Sequence, residues 1–147
     1  MSKILVVYHT QGGNTKAAAE LVARGARAQG AKVEIKEALK ADVDDLLKCD
    51  GVAVGTPDYF SYMAGGLKDF FDRTCYPTEG HVTGKPCAIF VTHGGGGRAV
   101  QSVKKLCRRF KFKLVAPPVL IENMPKSKAA HKNLMGLGKA LAEVCKK

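Results

Sequence analysis

Residues 51–74, GVAVGTPDYFSYMAGGLKDFFDRT, constrain the fold more than any other stretch of this chain. Val52, Ala53 and Val54 form a short apolar run that predicts a buried strand. Gly55-Thr56-Pro57 predict a break into a loop that exposes Tyr59, Phe60 and Tyr62. A helix is expected next, with Met63, Leu67, Phe70, Phe71 and Thr74 at helical spacing on one face. A strand that ends in an aromatic loop and continues as an amphipathic helix puts that loop at the carboxyl edge of a parallel sheet. Open α/β sheets bind planar ligands at that edge. The aromatics read either as ordinary core or partner surface, or as a platform for a flat ligand.

The remaining segments repeat the same unit. Lys3–Tyr8, KILVVY, is continuously apolar, as expected of a central strand buried on both faces. After the turn cluster His9–Thr15, a helix is predicted from Thr15 to Gln29, packing Ala18, Leu21, Val22 and Ala26 and closing at Gly30. Lys32–Glu37 alternates strictly, which suits an edge strand, and Asp42 is a plausible N-cap for a short helix to Lys48. Cys87–Val91 predicts another buried strand, emptying into His93-Gly94-Gly95-Gly96-Gly97. A helix over Arg98–Phe110 is expected to pack Val100, Val103, Cys107 and Phe110. Leu114–Ile121 is strand-like, but Pro117-Pro118 remove two ladder donors and confine it to an edge. A last helix, Lys128–Cys145, is expected to pack Leu134, Leu137, Leu141 and Val144.

Five βα units predict a three-layer α/β sandwich around a five-stranded parallel sheet. The two edge-like segments are the second and the fifth, which gives the order 2-1-3-4-5. With 147 residues and no linker or repeat, a single domain over 1–147 is expected.

Composition excludes several classes. A 46% apolar share is ordinary for a globular chain and argues against disorder. No apolar run approaches bilayer length, and the N-terminus passes from Lys3 into a strand without a signal-peptide pattern. A cytoplasmic protein with no membrane partner is the expectation. Five dispersed cysteines without a CxxC pair argue against a disulfide framework, and neither they nor the four histidines have metal-ligand spacing. The net charge of +11 is unevenly placed: residues 1–75 carry 10 basic and 10 acidic side chains, residues 76–147 carry 14 and 3.

Three loops are expected at the carboxyl ends of neighbouring strands. Thr10-Gln11-Gly12-Gly13-Asn14-Thr15 offers hydroxyls, glycine-freed amides and a helix N-terminus, an assembly suited to a phosphate. It is neither a Walker loop nor a GxGxxG fingerprint. The second loop holds Thr56, Pro57, Asp58, Tyr59, Phe60, Tyr62 and Met63. The third, Thr92 and His93 followed by Gly94, Gly95, Gly96 and Gly97, lets backbone approach a flat ligand closely. One loop fits phosphate and two fit an aromatic ring.

On these residues the chain resembles the flavodoxin family along its whole length. Thr10, Gly13, Asn14 and Thr15 lie on the family's phosphate-loop pattern. GTPDYFSYMAGGLKDFFD (55–72) is similar to the ring-binding loop and helix shared by flavodoxins and flavodoxin-like quinone reductases, and 92–97 resembles the loop closing the other side. The resemblance implies bound FMN, with phosphate on the first loop and the isoalloxazine between the second and third. Gln11 and Gly12 stand where many members carry threonines. No tryptophan is present, so stacking falls to Tyr59, Phe60 or Tyr62, and a histidine stands at 93 where an aromatic or small residue is usual. Family members are characteristically acidic; this chain is basic.

The first functional expectation is an electron carrier between protein partners. An NAD(P)H-dependent FMN oxidoreductase or quinone reductase is the alternative, and a flavin-free interaction module is a third. Lys104, Lys105, Arg108, Arg109, Lys111 and Lys113 form a basic cluster that suits an acidic redox partner. Without interleaved aromatics or a known motif, nucleic acid is a less favoured partner.

Overall fold

The apolar run KILVVY forms β1 (Lys3–Tyr8), buried from Ile4 onward and flanked by strands on both sides. In this computed structural model, which describes residues 1–146, the chain continues as α1 (Asn14–Ala28), β2 (Lys32–Glu37) and α2 (Val43–Lys48). Next come β3 (Gly51–Tyr59), β4 (Tyr62–Met63), α3 (Gly65–Thr78) and β5 (Pro86–His93). The last elements are α4 (Ala99–Arg109), β6 (Lys113–Leu114), β7 (Val119–Glu122) and α5 (Lys128–Val144). The sheet runs β2-β1-β3-β5, with β6 and β7 both parallel to β5 on its outer side. This is the expected 2-1-3-4-5 order, with its fifth member split by Pro117-Pro118 and a short antiparallel strand added.

Two apolar layers cover the faces. Ile4, Val6, Ala53 and Phe90 point to α1 and α5, where Val22, Leu134 and Leu141 meet them. Leu5, Val7, Val54 and Ile89 point to α2, α3 and α4, against Leu46, Phe70, Phe71 and Val103. The alternation of one strand's side chains between two helical layers is what makes its sequence continuously apolar.

Three local expectations are corrected. β3 does not break at Gly55-Thr56-Pro57; it stays in register with β5 through Pro57↔Thr92 and then turns back as a hairpin. The proline sits at the end of the ladder, where a missing donor disturbs little. Met63 belongs to β4 and not to α3, which begins at Gly65. Val144 is half exposed, because the α5 stripe runs through Leu134, Leu137, Leu141 and Cys145 and leaves 144 turned outward.

A capping box starts α2. Asp42 accepts from the Asp45 amide and Asp45 from the Asp42 amide, both at 3.0 Å. Asp45 is buried, and Lys36 Nζ on β2 donates to both its carboxylate oxygens at 2.8 and 2.9 Å. Burial alone would raise the Asp45 pKa, but the Lys36 ammonium and the Asp42 amide outweigh it and hold it below the ordinary value. A lowered folded pKa stabilises above the unfolded value and is lost as pH falls through the folded one. Asp45→Ala is therefore expected to cost about 1–2 kcal/mol at neutral pH. The cost should shrink in acid, read from urea midpoints at both pH values; a pH-independent cost contradicts the assignment.

Candidate functional site

The loops after β1, β3 and β5 enclose a cleft of about 500 Å³, a size suited to a cofactor. Thr10, Gln11, Gly12, Asn14 and Thr15 line it from the first loop. Pro57, Asp58 and Tyr59 line it from the carboxyl end of β3, and Thr92, His93 and Gly94 from the end of β5 and the loop that follows.

The first loop ends at Gly13, whose φ of 97° lies in the left-handed region that glycine adopts readily. Gly13 N–H donates to Thr10 Oγ1 at 2.9 Å, which closes the loop on itself. As the N-cap of α1, Gly13 supplies no capping side chain, and the first turn carries no acidic residue. The first intrahelical bond runs from Ala17 N–H to the Gly13 carbonyl, so the amides of residues 14–16 lie ahead of the ladder. Asn14 and Thr15 bring that positive helix end to the cleft, which is the chemistry of an anion cradle. Buried Thr15 ties this loop to the third through a 2.7 Å hydrogen bond between its Oγ1 and Thr92 Oγ1.

The second loop is a tight hairpin. Phe60 and Ser61 both have positive φ, 57° and 62°, at the two positions where hairpins favour Asn-Gly. Asp58 holds this costly turn: Oδ1 accepts from the Ser61 amide at 2.8 Å and Oδ2 from the Ala99 amide at 3.0 Å. One carboxylate thus joins the hairpin to the start of α4. Tyr59 lies half-buried on the cleft wall, edge-on to His9, and its phenol pKa is raised by burial.

Several predicted residues fall away from the cleft lining. Thr56 is fully buried; its hydroxyl accepts from the Ala64 amide at 2.9 Å and donates to the Pro57 carbonyl at 2.7 Å. Met63 is also buried, and its amide donates to Ser102 Oγ at 3.0 Å. Phe60 projects fully into solvent at the hairpin tip and Tyr62 is half exposed. Gly95 and Gly96 line a neighbouring cleft of about 590 Å³ together with Asp58, Ser61, His93, Gly94 and Arg98.

Asn123 lines the main cleft and was not anticipated. It follows β7 with φ 59° and donates its amide to the His93 carbonyl at 2.8 Å. Asparagine after a parallel strand is the signal that marks it, since this residue tolerates the left-handed region.

The basic cluster of 104–113 does not reach the cleft. Lys113 pairs with Pro86 at the start of β5, whereas His93 closes the other end of that strand. They are the two ends of an eight-residue strand, seven steps and about 23 Å apart at 3.3 Å per step. Arg109 is engaged there by Glu79 at 2.7 Å and lies over the Tyr76 ring.

Sheet order and a carboxyl-edge cleft of this construction define a flavodoxin-like α/β protein. Residues 35–124 match the family model described as NADPH-dependent FMN reductase. The chain is 39% identical to a flavodoxin of Aquifex aeolicus, over 76% of its own length and 62% of that protein. It is 35% identical to an NAD(P)H dehydrogenase (quinone) of Acidithiobacillus ferrooxidans, over 65% and 60% of the two chains. The match thus spans about three-fifths of those relatives. The solved structure of a flavodoxin from the domain Archaea superposes with a TM-score of 0.91 at 26% identity, covering 99% of each chain. The chain belongs to the NADPH-dependent FMN reductase family and has the flavodoxin-like fold. Among the described residues no helix is long and apolar enough to cross a membrane.

Proposed function

We propose that residues 1–147 act as one FMN-carrying unit that passes electrons between protein partners. The observation that carries this reading is the uncapped, acid-free N-terminus of α1 opening on a cleft walled by Tyr59 and a glycine loop. In this assignment the amides of residues 14–16, with Thr10 and Thr15 beside them, hold the phosphate. Tyr59 would flank one side of the ring, and Thr92, His93 and Gly94 the other. Bound FMN supplies the redox-active ring. This chain's residues would orient it and limit water at one edge. Titrating ligand-free protein with FMN, FAD and riboflavin tests the placement. FMN is expected to bind tightest; equal affinity for riboflavin overturns it, and no uptake of any flavin favours an interaction module.

A second reading, an NAD(P)H-dependent FMN or quinone reductase, draws on the family description and the Acidithiobacillus relative. Exposed Arg98 on the adjoining cleft is the group that would meet a nucleotide phosphate. Anaerobic NADPH separates the readings, since direct bleaching of the flavin colour is expected only of the reductase. For a carrier, the acidic partner expected from the charge would have to dock at the cleft edge, where Arg98 lies, and not on 104–113. Its transfer rate should then fall with salt and with Arg98→Glu.

A further inference from the structure

The glycine loop beside the cleft is held by one side chain. His93 Nδ1 accepts hydrogen bonds from the Gly95 and Gly96 amides, both at 3.0 Å. Gly94, Gly95 and Gly96 are exposed, and Gly95 sits at φ 144° and Gly97 at φ 72°. Four consecutive glycines carry no side chains to pin the loop and lose the most backbone freedom when it is ordered. The loop folds back on the imidazole instead, and the imidazole lines both clefts. The backbone that carries the ring is anchored from behind: His93 pairs with Glu122 in β7, and its carbonyl accepts from the Asn123 amide at 2.8 Å.

Only neutral imidazole can do this. With Nδ1 as acceptor the ring proton sits on Nε2; imidazolium carries a proton on each nitrogen and accepts nothing. Protonation would turn an N–H toward two amide N–H groups. The charged and titratable groups around the ring offer little compensation. Asp58 and Tyr59 share its cleft from β3, Glu122 stands beside it in register on β7, Arg98 lies at the far end of the loop, and the N-terminus of α1 lines the cleft opposite. Asp58 is engaged by the Ser61 and Ala99 amides, and among the described residues no carboxylate forms an ion pair with His93.

We propose that His93 is a positioning residue whose neutral imidazole latches the Gly94–Gly97 loop, so that protonating it loosens the loop and weakens FMN binding. The binding half rests on the FMN reading above; the latch does not. Simple attraction between imidazolium and the FMN phosphate predicts the opposite sign, tighter binding in acid, so the direction discriminates.

The test has two arms. In ligand-free protein followed by NMR, the Gly95 and Gly96 amides are expected to shift with the same midpoint as the His93 ring. Their exchange protection, corrected for intrinsic rates, should fall several-fold across it. His93→Asn places an amide oxygen where Nδ1 stood and should keep protection at every pH; His93→Ala should lose it at every pH. In the second arm, the FMN affinity of wild type relative to His93→Asn should fall about fivefold in acid, a ratio that cancels the titration of the FMN phosphate itself. Glycine amides that ignore the His93 titration, or an Asn variant indistinguishable from Ala, overturn the latch. Amides that titrate in a protein taking up no FMN uphold the latch and overturn the cofactor reading.

Discussion

Alanine at position 138 is expected to lower unfolding stability by about 3 kcal/mol, the upper part of the range for overpacked cores. Gly138 lies on the buried face of α5, where an added Cβ would collide with the Val22 carbonyl and stand 2.9 Å from the Ala26 amide of α1. Gly25 on α1 is its counterpart, with the Met135 backbone of α5 in the way of a Cβ. Backbone cannot rotate aside as a side chain can, so the helices must part. Parting them loosens the layer in which Val22, Leu134 and Leu141 cover the sheet. Gly25→Ala should cost a similar amount, and the double variant less than the sum, because one separation relieves both collisions. Gly136, two residues away and exposed with nothing near its Cβ position, supplies the contrast. Gly136→Ala should stabilise by about 0.5–1 kcal/mol through helix propensity and a less flexible unfolded chain. Urea midpoints by circular dichroism read all four variants. A Gly138→Ala protein as stable as wild type would show that the helices do not meet backbone to backbone.

The central strands and the helix stripes were legible because burial on both faces, or on one, writes itself directly into apolar spacing. KILVVY and the stripe of α1 are such cases. The hairpin at 58–63 was not legible, since Phe60-Ser61 carries none of the Asn-Gly chemistry that announces a type I′ turn. The carboxylate that holds it, Asp58, also binds an amide 41 residues away, a contact no local pattern contains. Thr56 and Met63 were placed at the site by their neighbours in sequence, yet alternation along the strand turns both inward. The basic cluster is a different case: strand-helix alternation already returns the end of α4 to the amino edge, and counting charge along the chain concealed that. The acceptor role of His93 depends on how four glycines fold, and the sequence leaves that open.

Asn14→Asp should move stability and affinity in opposite directions. Asn14 is the first residue of α1, and it lines the cleft at a helix end that has neither a side-chain cap nor an acidic residue in its first turn. Helices ordinarily favour a carboxylate there, which stabilises by about 0.3–1 kcal/mol through the dipole and the free amides. The absence of one leaves that positive end to an incoming anion. An aspartate of nearly the same shape should therefore raise the stability of the ligand-free protein by roughly 0.5 kcal/mol. The same charge, a few ångströms from the proposed phosphate position, repels the phosphate and competes for its amide donors. Like charges about 5 Å apart at an effective dielectric of 20 repel by about 3 kcal/mol, and exposure trims this toward 2, so FMN affinity should fall roughly 30-fold. Riboflavin, which lacks the phosphate, should bind wild type and variant alike. Urea denaturation of ligand-free protein and paired flavin titrations at low and high salt measure the three quantities, and the FMN deficit should shrink as salt rises. Should Asn14→Asp weaken FMN and riboflavin equally, the first loop would be supporting the ring and the phosphate would lie elsewhere on the carboxyl edge.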